Sequence, residues 1–385
     1  MKYFSDNKKI IFLFISFLAL YLISSSYIYA RHDPNLLATA YDASRYVGLN
    51  SFFDGTVYGQ KTAWHLFFTY TLFIRILEDL NLIKYYVEIQ YVIFYLSSIL
   101  FYKFLINFNF SKLSSLLSTI FIICNPFLIF WIHTLNHAGL TISLLMISLY
   151  FLSKYDEANI FKILFFIFIF FSLKNDGKLF FPIFMILFYN FFLRNEKKST
   201  FSFLILLFFF ILYFLYLSKF AVGLQDFSAS YLQKDISSYK FISPTIDNAV
   251  METYRSCLIT ELNSLHNHLC AILDNPLYSI KLYSARLFLL LTWINTNLSL
   301  KYNFFTSGMM FFLYLGLIIN LIKTKFTKFK FFLIFSYLIT IVVVLPYVLR
   351  GDQKFVFYGL LFIIPLSFSG YELSLNYFKK FKLLK

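Results

Sequence analysis

Residues 304–322 read FFTSGMMFFLYLGLIINLI, a run of nineteen residues without a charged side chain. An apolar run of roughly 18 or more residues is long enough to cross a bilayer as a helix. Related runs, some of them shorter, recur along the whole chain, at about 10–29, 63–77, 86–106, 113–132, 138–153, 160–173, 178–193, 200–219, 278–299, 331–349 and 355–371. These runs lack the polar–apolar alternation of barrel strands. We therefore predict an all-α, polytopic transmembrane protein.

The composition of the 385-residue chain excludes a soluble globular protein. Hydrophobic residues make up 59% and charged residues 14%, and the mean hydropathy is +0.70. Soluble domains carry about 25% charged residues. The net charge is +15, but most lysines lie in short loops between apolar runs, where positive charge sets membrane topology. We therefore expect a lipid bilayer as partner and no nucleic acid.

The distribution of basic residues predicts the topology, because Lys and Arg accumulate in cytoplasmic loops. Ten spans, starting with an uncleaved span at about 10–29, put both termini and the main basic groups inside. Those groups are Lys8/Lys9, Lys103/Lys112, Lys154, Arg194/Lys197/Lys198, Lys323/Lys325/Lys328/Lys330 and the basic tail Lys379/Lys380/Lys382/Lys385.

Two apolar segments do not cross the membrane in this scheme. Segment 63–77 is short for a span, and its Trp64, Tyr70 and Arg75 suit an interfacial helix on the outer face. Segment 278–299 is also predicted to be interfacial or re-entrant. If it crossed the membrane, the basic residues Lys323–Lys330 and the basic tail would fall on the outer side. With both assigned in this way, the basic loops all fall on one side.

Two large polar regions, 31–61 and 221–280, then share the outer face of the membrane. No internal repeat divides the chain, so we treat residues 1–385 as one transmembrane unit. Cys257 and Cys270 lie thirteen residues apart in the second region. In an oxidising compartment they can form a disulfide, and the alternative is two free thiols.

Acidic residues in the first outer region are candidates for a general base. Asp33 follows the first span, and Asp42 precedes Arg45 in the sequence Tyr41–Tyr46. A carboxylate at the mouth of a helical bundle can accept a proton from an attacking hydroxyl. The alternative is a solvated loop, since Asp-Pro and Asp-Gly pairs, as at Asp33 and Asp54, are common in turns.

A second outer turn contains His133 and His137, which are four residues apart. On a helix this spacing puts two imidazoles on one face, as in metal sites. Two ligands alone form a weak site, and the alternative is a pair of polar residues at the membrane interface.

Several cations are predicted at the outer face, where the charge rule disfavours them. Lys174 and Lys178 flank Asn-Asp-Gly and can bind a phosphate at the membrane surface. Arg286 lies within an apolar segment, where a charge is costly unless it is paired or faces a cavity. Arg45 and Lys354 are further candidates for binding an anionic substrate.

The order of these landmarks resembles that of the GT-C glycosyltransferases, such as the protein mannosyltransferase and aminoarabinose transferase groups. The shared features are the acidic first outer loop, Asn125-Pro126 before a polar outer turn, Lys174-Asn175-Asp176-Gly177, Asn275-Pro276-Leu277-Tyr278 before Arg286, and Gln353-Lys354-Phe355 with Pro365.

The resemblance implies a GT-C-like fold and transfer of a sugar from a polyprenyl-phosphate donor to a glycan, lipid or protein acceptor. The catalytic Asp of the family falls best on Asp33, with Asp42 as the rival. Some family members use a divalent metal, for which His133 and His137 are the candidate ligands. We expect the inner (plasma) membrane of a bacterium, with the site on the outer face.

Two other functions fit a polytopic chain with large outer loops. A flippase or exporter of lipid-linked oligosaccharide would carry charged residues within the bundle, whereas the ionisable residues here lie mostly at predicted span ends. An O-antigen polymerase would have Arg-rich outer loops, and Arg255 is the single arginine between 221 and 280.

Overall fold

The computed structural model describes residues 47–51, 53–54, 68–133, 137–153, 273, 276–293, 300–344 and 357–383. The helices in these residues are α1 (Phe68–Asp79), α2 (Tyr86–Asn107), α3 (Lys112–Ile123), α4 (Pro126–His133), α5 (His137–Ser153), α6 (Pro276–Thr292), α7 (Leu300–Lys323), α8 (Lys328–Val344) and α9 (Phe357–Leu383). A 3-10 turn, Ile83–Tyr85, leads into α2. This part of the chain contains no strand, so the prediction of an all-α protein is confirmed for it.

Three of these helical segments are long and apolar enough to cross a membrane: Ile83–Asn107, Leu300–Lys323 and Tyr358–Tyr377. At 1.5 Å per residue, each extends about 30 Å or more, the thickness of the hydrocarbon core. Lys112–Ile123 and His137–Phe151 are shorter apolar helices. These helices fit a membrane protein, and the total of ten spans stays a prediction.

The apolar run 113–132 is not one helix, contrary to its reading as a single span. Helix α3 ends at Ile123 and α4 begins at Pro126, with Cys124 as the C-cap of α3. Proline lacks the N–H that a continuing helix needs, and its ring disfavours helical backbone at the residue before it. Asn125 makes the transition, since its N–H bonds the carbonyl of Ile122 (3.3 Å) and its carbonyl accepts from Ile129 (3.0 Å).

Hydroxyl groups within the apolar helices bond to their own helix. The side chains of Ser and Thr donate to the carbonyl three or four residues earlier, which satisfies them without water. Ser98 bonds Phe94 (2.8 Å), and Ser118 bonds Ser114 (2.6 Å). The same pattern occurs at Ser97, Thr119, Thr141, Ser143, Ser148, Thr340 and Ser367.

The described helices belong to two compact units. The first unit holds α1 to α5, residues 316–323 of α7 and α9 from Leu360 onward. The second holds α6, residues 300–315 of α7, α8 and the first three residues of α9. In the first unit, α2 packs against α5 and α3.

In the second unit, the C-terminal end of α6 is bound by hydroxyl groups of α7. The carbonyls of Leu291, Thr292 and Trp293 accept from Tyr314 (3.0 Å), Ser307 (3.1 Å) and Thr306 (3.0 Å), respectively. The last carbonyls of a helix have no partner within it, so these three bonds stabilise a helix end whose Trp293 is fully buried. The helix predicted at 278–299 therefore ends at Thr292, fixed to its neighbour.

In the first unit, α9 is attached to two other helices by polar contacts. The carboxylate of Glu372 accepts from the hydroxyls of Ser111 and Ser114 at the start of α3. Ser111 is also the N-cap of α3 and accepts from the backbone N–H of Ser114 (3.0 Å). Lys323, at the end of α7, donates to Ser374 (3.2 Å) and lies 5.0 Å from the ring centre of Tyr377. Helix α9 extends to Leu383, so the described part of the basic tail is helical.

Helices α7 and α9 touch backbone to backbone within the first unit. A Cβ atom added at Gly370 would collide with the carbonyl oxygen of Gly316 and lie 2.9 Å from the backbone nitrogen of Asn320. A Cβ added at Gly316 would lie 2.5 Å from the carbonyl oxygen of Ser367. Small residues let membrane helices approach this closely, which increases their van der Waals contact.

Replacement of Gly370 by Ala is expected to destabilise the protein by about 1–3 kcal/mol, because the added methyl group meets rigid backbone. The matched control is Gly308→Ala in α7, where an added Cβ has no atom within 4 Å. That change is expected to be neutral or to stabilise by up to about 1 kcal/mol through helix propensity. The thermal unfolding midpoint in detergent measures both, and equal midpoints for the two variants would contradict the close crossing.

Candidate functional site

Most of the residues predicted for the site lie outside the described residues. These are Asp33, Asp42, Arg45, Lys174, Lys178 and Lys354, together with the Cys257–Cys270 pair. Arg286 lies on α6, but its side chain is outside the described part. His133 also lies on a described helix without a described side chain, so His137 is the one predicted site residue whose side-chain surroundings the structure describes.

His133 and His137 lie on two different helices, at either end of the predicted outer turn, and their role as a metal-ligand pair stays a prediction. His133 is the last residue of α4 and His137 is the first residue of α5. His137 is 4% exposed, and its ring meets that of Tyr70 edge-on at a centroid distance of 6.2 Å. The described residues contain no group of three His, Cys, Asp or Glu side chains that can hold a metal ion.

His137 instead belongs to a set of buried polar side chains, Tyr70, Tyr86, Gln90 and His137, which we call the polar cluster. The hydroxyls of Tyr70 and Tyr86 are 2.7 Å apart and share a hydrogen bond. The amide nitrogen of Gln90 donates to the Tyr86 hydroxyl. All four side chains are less than 5% exposed, and they join the start of α2 to α1 and α5.

Gly139 brings α5 close to this cluster. A Cβ atom at this position would lie 2.5 Å from Oε1 of Gln90 and 3.2 Å from Cα of Ile132. Gly139 thus leaves room for the Gln90 side chain, which would have to move if a methyl group were added. His137 lies two residues earlier on the same helix.

The described end of the first outer region is attached to α1 by its backbone. The N–H of Gly48 donates to the carboxylate of Glu78 (2.8 Å), and Arg75 donates to the carbonyl of Leu49 (2.9 Å). We call these two bonds the loop clamp. Gly48 has a φ of 70°, in the left-handed region that glycine adopts without strain. Arg75 is itself oriented by Asp79, at 3.1 Å.

Apolar packing brings the loop clamp next to the polar cluster. Val47 packs against the buried side chains Tyr70, Ile74, Leu77, Tyr86 and Leu140. Leu140 lies on α5, three residues after His137. The end of the first outer region and the start of α5 therefore pack against one apolar cluster, although they are about 90 residues apart in sequence.

The surroundings of the Tyr70 and Arg75 side chains differ from the sequence prediction. Tyr70 was expected at the membrane interface, but it is fully buried and bonded to Tyr86. The spacing of Tyr70, Ile74 and Leu77, at i, i+4 and i+7, is the signal for this buried face. The binding of Arg75 to Leu49 has no sequence signal, because its partner is a backbone carbonyl 26 residues away.

Loss of the clamp should free the loop. Glu78→Ala removes a charged acceptor, and hydrogen bonds to charged groups contribute about 1.5–3 kcal/mol. Amide hydrogen exchange of a peptide covering residues 47–54 is therefore expected to become about tenfold faster or more. Asp79→Ala is the control, since it removes an ion pair of Arg75 but no bond to the loop. Unchanged exchange in Glu78→Ala would argue against the clamp.

No family model, curated protein or solved structure matches this chain.

Proposed function

We propose that this protein is a membrane glycosyltransferase that transfers a sugar from a polyprenyl-phosphate donor to a glycan, lipid or protein acceptor. In this proposal the chain has about ten spans in a GT-C-like arrangement and lies in a bacterial inner membrane. The active site is on the outer face and includes the regions 31–61 and 221–280.

The observation that carries the proposal is the packing of the first outer region beside the second outer turn. The mechanism needs the carboxylate of the first region near the turn at His137, because a base must lie within a few ångströms of the reacting carbon. Val47, Gly48 and Leu49 are attached to α1 next to the cluster that contains Leu140. Asp42 precedes Val47 by five residues, a length that reaches at most about 18 Å.

The proposed mechanism uses acidic and basic side chains in two different roles. Asp33 or Asp42 accepts the proton of the acceptor hydroxyl as that oxygen attacks the anomeric carbon. Cations stabilise the negative charge that develops on the leaving phosphate. The candidates for that role are Lys174, Lys178, Arg286, Arg45 and Lys354.

The polar cluster has a supporting part in this proposal. Its hydroxyl and amide groups are buried and bonded to one another, so they are suited to fixing α1, α2 and α5 rather than to reacting. The proposed mechanism assigns no step to a metal.

The distribution of charge in α2, α5 and α7 supports an enzyme over a carrier, whereas α6 and α9 carry Arg286 and Glu372 away from their ends. In α2 the charged residues are Glu88 and Lys103, and in α7 they are Lys301 and Lys323, all within five residues of a helix end. Helix α5 has no Asp, Glu, Lys or Arg. A pathway through the membrane for a phosphorylated oligosaccharide would need polar or charged groups along the helix interior.

Asp33→Asn and Asp42→Asn test the proposal. Loss of a general base slows a reaction by roughly 10²–10⁴-fold, so at least one of these variants should abolish transfer at normal expression. Mass spectrometry of surface glycans compares a deletion strain that carries each variant with one that carries the wild type. Asp54→Asn, in the same outer region, is the control and should retain transfer. Wild-type glycans from both Asp33→Asn and Asp42→Asn would contradict the mechanism.

A further inference from the structure

Helix α1 has three distinct flanks. The first packs into the protein through Tyr70, Ile74 and Leu77. The second carries the charged residues Arg75, Glu78 and Asp79 and holds the loop clamp. The third is an apolar stripe, Leu72, Ile76 and Leu80, which are 41%, 47% and 60% exposed.

The apolar stripe follows the helical repeat. Its three residues are four apart, and at about 100° per residue they fall within an arc of about 80°. Leu80 lies one residue past the end of α1, and its N–H still bonds the carbonyl of Ile76 (3.0 Å), so it continues the helical path. The charged residues at 75, 78 and 79 occupy a separate arc of about 100°. The two arcs do not overlap, and they adjoin at Asp79 and Leu72, which are about 20° apart around the helix.

The stripe leads along the chain into a second exposed apolar face on α2. Val92 and Leu96 are both 54% exposed and lie at positions i and i+4 of a helix long enough to span the membrane. Tyr85 continues this face at the start of α2, and the Nζ of Lys84 lies 5.0 Å from its ring centre. Aromatic and basic residues are enriched where a span meets the membrane surface. The face on α2 is therefore suited to contact lipid.

We propose that the stripe Leu72, Ile76 and Leu80 is a membrane contact, inserted among lipid acyl chains at the outer boundary of the bilayer. Helix α1 then lies along the membrane surface, with its charged flank in water and the loop clamp above the lipid. Lipid is the proposed occupant because the next helix along the chain, which is long enough to span the membrane, also exposes apolar side chains at Val92 and Leu96. Twelve residues extend only about 18 Å, which is too short to cross a hydrocarbon core of about 30 Å.

Site-directed spin labelling tests this placement without any assay of sugar transfer. Single cysteines replace Leu72, Ile76, Leu80 and Asp79 in full-length protein in which Cys124, Cys257 and Cys270 are Ser. Each variant is labelled with a nitroxide and reconstituted in phosphatidylcholine–phosphatidylglycerol vesicles. The collision rates of the label with oxygen, which concentrates in lipid, and with a water-soluble nickel complex give its depth. Elution as a single symmetric peak in size-exclusion chromatography is the criterion for a folded variant.

The expected result is that labels at 72, 76 and 80 collide mainly with oxygen and have the same depth within a few ångströms. The label at 79, about 60° from the centre of the stripe, should be shallower than the other three and collide more with the nickel complex than they do. A steady change of about 12 Å in depth between 72 and 80 would mean that the helix crosses the membrane, and it would overturn the proposal. Low collision rates with both reagents would mean that protein, such as a second copy, covers the stripe. Preference for nickel at all four positions would place it in water, and either result also overturns the proposal.

Discussion

The packing of α1 against α2 in the first unit depends on the hydrogen bonds between Tyr70, Tyr86 and Gln90. These polar groups are buried among apolar side chains, where an unbonded hydroxyl or amide costs about 1–3 kcal/mol. The Gln90–Tyr86 bond lies within α2, whereas the Tyr70–Tyr86 bond joins α1 to α2 and forms only when the two helices are correctly placed. A helix of twelve residues is marginal by itself in water, so α1 depends on this attachment. The loop clamp and the apolar stripe in turn depend on α1.

The same constraint explains the other polar contacts of the described helices. A membrane offers no water to satisfy a buried polar group, so each needs a partner within the protein. The carbonyls at the end of α6 are bonded by hydroxyls of α7, and Glu372 accepts from two serines at the start of α3. Because each of these hydrogen bonds links two helices, the bonds also determine how the helices within each unit are packed.

The sequence was sufficient to predict the helices but not all of their limits. Length and lack of charge predicted α2, α5 and α7 to within a few residues, because an apolar run of that kind has few alternatives in a membrane. The break before Pro126 was missed because hydropathy does not change there, although Asn125-Pro126 is a strong local signal. The separation of 113–132 and 138–153 at the turn His133–His137 was predicted correctly, since α4 and α5 are distinct helices.

The candidate site was harder to predict, and its catalytic residues stay a prediction. Tyr70 was assigned to the membrane surface from its residue type, whereas its spacing with Ile74 and Leu77 indicates a buried face. The bond from Arg75 to Leu49 depends on tertiary structure and leaves no pattern in the sequence. The roles of Asp33, Asp42, Lys174 and Lys178 rest on their order along the chain and on the packing of the neighbouring Val47.

A double-mutant cycle between Tyr70 and Tyr86 tests the central interaction most directly. The free energy of unfolding in detergent is measured for wild type, Tyr70→Phe, Tyr86→Phe and the double variant, with Tyr85→Phe as an exposed control. The account predicts that the two changes are not additive, with a coupling energy of about 0.5–3 kcal/mol, as expected for groups in one hydrogen-bonded network. It also predicts a change within about 0.5 kcal/mol for Tyr85→Phe. Additivity of the Tyr70 and Tyr86 changes to within about 0.3 kcal/mol would contradict it.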